Sequence, residues 1–218
     1  MDEVGDHYRR ARVRLTELLG DLDDASWRRD VPACPGWRVH DVVAHLVGVI
    51  EDGMAGRLDG PPSEVLSAEE VARHRDDPSG DLLARWGELA PVFESVITTH
   101  EVWPATFDVL SHEHDVRGAL DRPGARDVDT VHVAARRLIE GLELPVVLRV
   151  HLDGETVESA PADGPMLELR TTAFEVVRLR LGRRSRQQVM ALDWSTAPSA
   201  EVVEALFVFG PRPDALVE

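Results

Sequence analysis

The strongest constraint on the fold is a change of hydrophobic period near Gly141. Upstream, apolar residues recur every three or four positions, as on one face of an α-helix. Val4, Tyr8, Ala11, Val13, Leu15, Leu18 and Leu19 do so within residues 3–20, with Gly20 available as a stop. Val39, Val42, Val43, Leu46 and Ile50 repeat the pattern. The same spacing predicts helices over 82–97, 103–120 and 129–140, and a short one over 68–74. Residues 21–37 read as a loop whose path is fixed by Pro32, Pro35 and Gly36, and 53–67 as an exposed connection rich in glycine and proline. Downstream the pattern alternates. Residues 146–152 and 155–158 predict two strands around Asp153-Gly154, and 166–170 a third. Helical segments then return over 173–181, after Ser185 through 192, and over 201–206. The expected class is α+β: a helical bundle over residues 1–140, then a small α+β domain over residues 141–218.

Charge and composition narrow the function. Forty acidic residues against 24 basic ones give a net charge of −16, which disfavours nucleic acid and anionic lipid as partners. No apolar run approaches the ~20 residues needed to span a bilayer, and Met1 to Asp6 lacks the basic and apolar regions of a signal peptide. A single cysteine, Cys34, excludes an internal disulfide framework. A cytoplasmic protein is expected, either monomer or homodimer.

Asp108 and His112 lie one helical turn apart, so their side chains point the same way. Ala105, Val109, Val116 and Ala119 occupy the adjacent arc, so the pair is not on a wholly polar face. Two such residues supply half of a metal site, and a second helix must complete it. His45, at the edge of the apolar stripe on the 39–50 helix, is the candidate. Two imidazoles, one carboxylate and an open position suit a catalytic zinc-type site. Taken alone, the same residues also fit an exposed hydrogen-bonded pair and a core-edge histidine with a backbone partner.

Pro35-Gly-Trp37, followed by His45 within the run Trp-Arg-Val-His-Asp-Val-Val-Ala-His-Leu-Val-Gly, resembles the first metal-ligand segment of the mycothiol-dependent maleylpyruvate isomerase family. The run Asp108-Val-Leu-Ser-His112-Glu-His-Asp115-Val-Arg117 is similar to its second. Phe174 to Val189, Leu192-Asp-Trp194 and Phe209-Gly210 resemble the small C-terminal domain of many members. The resemblance implies a DinB-like antiparallel four-helix bundle followed by that domain. It also implies a divalent metal, usually zinc, on His45, Asp108 and His112, with mycothiol as thiol co-substrate. Members include an isomerase, thiol transferases and proteins of unassigned substrate, so one reaction is not implied. The family's carboxylate ligand is typically glutamate, and Asp108 is one methylene shorter.

A metal-bound thiol favours the thiolate nucleophile, which fits an S-transferase or a cis–trans isomerase acting on a small electrophile. A non-catalytic DinB-like binding protein and a metal-dependent hydrolase remain alternatives. An anionic substrate needs a nearby cation, and Arg183 and Arg184 after Gly182 are the tail's candidates. The same arginines fit a helix terminus or a salt bridge equally well. Asp115 and Arg117 correspond to the family's acid–arginine pair and read as bundle salt bridges or as partners that orient a ligand. His114 is expected on the surface, Cys34 in packing, and Trp37, Trp86, Trp103 and Trp194 as core or interdomain anchors.

Overall fold

The computed structural model describes residues 3–218. Two compact units divide between Gly124 and Ala125. The boundary expected from periodicity, after residue 140, therefore falls elsewhere. The helix over 129–140 packs on elements of the second unit. Helical spacing shows that a segment has an apolar face, not which neighbour covers it.

The first unit is built on four long helices: α1 (Val4–Gly20), α3 (Val39–Met54), α5 (Ser79–Thr99) and α6 (Trp103–Ala119). Two short ones, α2 (Asp24–Trp27) and α4 (Glu64–Arg73), complete it. α1 and α3 each pack against both α5 and α6, and α4 lies along α3. Val4, Tyr8, Ala11, Leu15 and Leu19 form the buried stripe of α1, whereas Val13, expected with them, is exposed and Leu18 half-buried. α1 and α5 approach closely at Gly5, where a Cβ would come within 2.3 Å of Thr98 Oγ1. The Gly5 amide donates to that hydroxyl at 3.2 Å.

α3 is the centre of the unit. Val39, Val42, Val43, Leu46, Val47 and Ile50 are all buried, because neighbours cover more than one of its faces. α4 begins at Glu64, earlier than the expected 68. Ser63 caps it by accepting from the Leu66 amide, which extends the helix into the glycine- and proline-rich connection. Pro104 sits in the first turn of α6, where no backbone donor is lost.

The second unit contains α7 (Asp129–Glu140), β1 (Val147–Leu152), β2 (Glu155–Glu158), β3 (Met166–Thr171), α8 (Ala173–Arg180), α9 (Arg186–Met190), β4 (Asp193–Trp194) and α10 (Ala200–Ala205). The sheet order is β2-β1-β3-β4, with β1 and β3 parallel and the outer pairs antiparallel. Gly154, at φ 102°, makes the turn between β1 and β2. Val150 pairs with Val157 on one side and Leu169 on the other, and all three are buried. The other face of the strands stays partly exposed, which is the alternation visible in the sequence. A helical region followed by a small mixed sheet makes the chain α+β. No helix among the described residues is long and apolar enough to cross a membrane.

Candidate metal centre

The site is assembled by three helices of the first unit and the loop before α3. His45 lies in the middle of α3, with its side chain 4% exposed. One turn on, Gly48 lets α4 come close; a Cβ there would sit 2.5 Å from Glu70 Cβ. That approach delivers the fully buried Glu70, whose Oε2 lies 2.7 Å from His45 Nδ1. A carboxylate at Nδ1 places the ring proton there and leaves the Nε2 lone pair facing inward.

α6 supplies the other half. His112 Nδ1 lies 3.0 Å from Asp115 Oδ2, and Cys34 Sγ donates to the same oxygen at 3.3 Å. His112 Nε2 is therefore the lone-pair edge, and it faces Asp108 Oδ1 at 3.4 Å. His45 Nε2 lies 3.6 Å from Asp108 Oδ2. The structure thus brings His45, Asp108 and His112 together, with one donor atom from each inside a 4.8 Å cluster.

These residues fit a divalent metal. Tetrahedral zinc with bonds of about 2.0–2.1 Å holds its donors roughly 3.3–3.4 Å apart. Asp108 Oδ1 stands at that separation from His112 Nε2, and Oδ2 slightly farther from His45 Nε2, so the shorter carboxylate lies between the two imidazoles. Asp108 Oδ2 is buried and has no hydrogen-bond partner among the described residues. Each histidine also has a carboxylate on its far nitrogen, the arrangement that orients metal-binding imidazoles.

Electrostatics agree with the geometry. Burial alone would raise the Asp108 carboxyl, but the charges of His112 and His45 outweigh it and hold its pKa far below the usual range. Burial, the largest single influence, would lower both histidines, but the Asp108 charge and the hydrogen bonds to Asp108, Glu70 and Asp115 together outweigh it, so His45 is raised and His112 is raised well above the ordinary value. Burial pushes the Glu70 carboxyl up. The cluster therefore favours protonated imidazoles beside an ionised Asp108 carboxylate.

Several roles become visible only in three dimensions. Trp37 covers the cluster, its ring centroid 5.1 Å from that of His45 and stacked 6.1 Å from that of His112. Glu70 carried no motif; the only hint was a glycine one turn from His45 on a helix otherwise rich in valine. Asp115 orients His112, whereas Arg117 pairs with Glu113 at 3.0 Å, which Arg14 also holds. Cys34 is half-buried beside Asp115 and His112. His114, expected on the surface, is 3% exposed, because α6 packs on both α1 and α3 and so has more than one inward face.

Arg183 and Arg184 belong to the second unit. Arg184 is buried, its guanidinium on Glu175 at 2.6 and 2.9 Å and on Glu218 at 3.0 Å. Arg183 Nη1 donates to the Leu181 carbonyl at 2.7 Å.

Residues 8–105 match the family model described as "Mycothiol maleylpyruvate isomerase N-terminal domain". His45 lies inside the match, and Asp108 and His112 just beyond it. Among solved structures, the crystal structure of the mycothiol-dependent maleylpyruvate isomerase is similar, with TM-score 0.50 and 16% identity over 91% of this chain and 94% of that one. A histidine-to-alanine mutant of that isomerase aligns with TM-score 0.49 and 16% identity over the same shares. No curated protein matches the sequence significantly.

Proposed function

We propose, for a chain that belongs through residues 8–105 to the mycothiol maleylpyruvate isomerase N-terminal domain family, a metal-dependent cytoplasmic enzyme that uses mycothiol as thiol co-substrate. Its reaction is thiol transfer to, or thiol-assisted cis–trans isomerisation of, a small electrophile. The observation that carries this reading is the convergence of His45 Nε2, His112 Nε2 and Asp108, with both imidazoles backed by carboxylates. His45, Asp108 and His112 would hold the ion, zinc being suited to two nitrogens and one oxygen. Bound there, a divalent cation supplies Lewis acidity that favours the thiolate form of a thiol.

The protein's own residues do the rest. Glu70 and Asp115 keep the Nδ1 protons in place, so both imidazoles present lone pairs rather than N–H groups. Asp108 contributes the one negative charge of the donor set, and its side chain is 27% exposed while the imidazoles are nearly buried, so approach is from its side. Trp37 shields the rings from water. In isomerisation, the thiolate sulfur bonds to one carbon of a conjugated double bond and the π electrons move to the carbonyl. Rotation about the resulting single bond and elimination then return the thiolate. In transfer, a leaving group departs with its bonding electrons and the sulfur stays.

Maleylpyruvate is the first substrate to test, since it is the substrate of the similar solved enzyme. Turnover by purified protein is expected to require both added mycothiol and a divalent metal. Turnover unaffected by omitting the thiol would overturn the reading in favour of hydrolysis.

A further inference from the structure

The chain's only tyrosine, Tyr8, lies in the interior of the first unit and is 2% exposed. Trp86 Nε1 donates to its oxygen at 3.2 Å. An indole N–H can only donate, so the phenol is the acceptor there and its own O–H is left over. Among the described residues, no acceptor lies within hydrogen-bond distance of that O–H. Buried hydroxyls seldom stay unmatched, so this one calls for an acceptor that the chain itself does not provide.

Its position points to the metal centre. α1 and α6 meet where Thr106 Oγ1 donates to the Val4 carbonyl at 3.3 Å, and again where Arg14 holds Glu113 at 2.7 Å. Tyr8 lies one turn beyond Val4 and Asp108 half a turn beyond Thr106, so both fall between these contacts at one level of the bundle. Of the charges that act on the Tyr8 hydroxyl, after burial and the Trp86 hydrogen bond, that of Asp108 comes first, ahead of Arg12 and Glu94. Asp108 Oδ2 is itself buried and without a hydrogen-bond partner among the described residues. An unmatched donor and an unmatched acceptor therefore stand at the same level of the site.

We infer that Tyr8 is a further residue of this site, its hydroxyl donating a hydrogen bond to the sulfur of the bound thiol. The inference deepens the proposed function and rests on its thiol dependence. A ligand atom that reaches a side chain this buried is the one seated deepest, and in the proposed reaction that atom is the nucleophile. The electrophile arrives afterwards, from the exposed side of Asp108. A thiolate is an anionic acceptor, which makes the bond charge-assisted. Burial pushes the pKa of the phenol well up and the Asp108 charge adds to it, so the O–H keeps its proton throughout the range in which a thiol ionises. The thiol's proton leaves to water. The phenol only shares its own, and so stabilises the thiolate without becoming a second anion beside Asp108.

The test follows the ionisation of mycothiol on zinc-loaded protein, by its ultraviolet thiolate absorbance, as pH is varied. Tyr8→Phe removes the hydroxyl and keeps the ring that packs edge-on against Phe93. The midpoint of ionisation should rise by about one pH unit, a tenfold loss of thiolate stabilisation, as expected for one charge-assisted hydrogen bond. Zinc affinity in the absence of thiol should stay at the parental value. Because the chain has a single tyrosine, meta-fluorotyrosine supplied during expression alters this position alone, and its hydroxyl remains in place. Its more acidic phenol is a stronger donor, so the midpoint should fall below that of the parent, and its fluorine resonance should shift when mycothiol is added. This second protein decides the matter even if the phenylalanine variant fails to fold. Unchanged midpoints, a fluorine resonance indifferent to the thiol, or a loss of zinc affinity in Tyr8→Phe with no change in midpoint would overturn the role of Tyr8 and leave thiol dependence standing. A parent that binds no mycothiol would end the thiol-dependent reading itself, and the assignment of Tyr8 with it.

Discussion

Both units bury charged side chains, and one cluster in each treats them in opposite ways. In the second unit, Arg180 donates to the carbonyls of Leu138, Ala205 and Leu206 at 3.1, 3.2 and 2.6 Å, and burial without a carboxylate pulls its pKa down to about 10. Arg184 is matched by Glu175 and Glu218, and Arg178 shares Glu218 with it. Those guanidiniums tie strands of irregular chain together and leave little bonding capacity over. In the first unit the histidines are satisfied on one nitrogen each, their other nitrogens converge on Asp108, and Asp108 Oδ2 and Glu70 Oε1 lack hydrogen-bond partners among the described residues. Buried charge that is fully paired acts as scaffold. Buried charge whose lone pairs converge with capacity to spare is a place for something else to bind.

The contrast is tested most severely by removing one group from each set. His112→Ala deletes an imidazole donor and should lower zinc affinity by more than the ~10–100-fold typical of losing an outer partner. Its fold should persist, because the buried apolar face of α6, including Val109, Leu110 and Val116, is untouched. Arg184→Ala should do the reverse. Zinc affinity stays at the parental value, while stability falls by about 3 kcal/mol, the low end for breaking a buried pair because Glu218 keeps Arg178. Denaturant melts and metal titrations of the two variants measure this directly. If His112→Ala unfolds the chain while Arg184→Ala alters metal affinity, the distinction between scaffold and site collapses.

A smaller effect probes how the site is held. Glu70→Gln keeps the shape of the side chain and an acceptor for His45 Nδ1–H but removes the charge, so zinc affinity should drop about tenfold; Glu70→Ala, which removes the acceptor, should cost closer to 100-fold. Circular dichroism should be unchanged for the glutamine variant. Equal zinc affinity in parent and both variants would reduce Glu70 to packing.

What the sequence disclosed and what it hid follow the same division. Asp108 and His112 were legible because a ligand pair and a helical turn share one short spacing, and His45 because it interrupts an otherwise apolar stripe. The strands were legible wherever one face is buried, as in Leu148, Val150 and Leu152. Glu70 was not, because its role depends on α4 docking at Gly48, a tertiary contact with no local signature. His114 was misplaced on the surface because the number of neighbours around α6 cannot be read from α6 itself. α7 was assigned to the bundle for the same reason, and the two residues of β4 are too few to show any period. For Arg184, sequence offered both an anion site and an ion pair; Glu175 on the preceding helix and the more distant Glu218 supply the second.

The gentlest test uses protons in place of mutations. His45 and His112 have folded-state pKa values raised above the ordinary 6.5, because the Asp108 charge and the hydrogen bonds to carboxylates together outweigh burial. Groups raised in this way stabilise the fold fully below pH 6.5 and lose that contribution as pH climbs through their folded values. Asp108 works in the other direction. Its folded value is depressed below 3.8, so its contribution is present throughout the neutral range and is lost only in strong acid. Metal-free protein should therefore become less stable as pH rises over the interval above 6.5. Zinc requires the same imidazoles unprotonated, so metal-loaded protein should become relatively more stable over that interval. Thermal melts of the two forms across the interval should show opposite slopes, and His112→Ala should flatten the metal-free one. Parallel slopes would mean that the histidines titrate independently of any metal. In that case the cluster on α3 and α6 would be one more paired interior charge, of the kind Arg184 represents in the second unit.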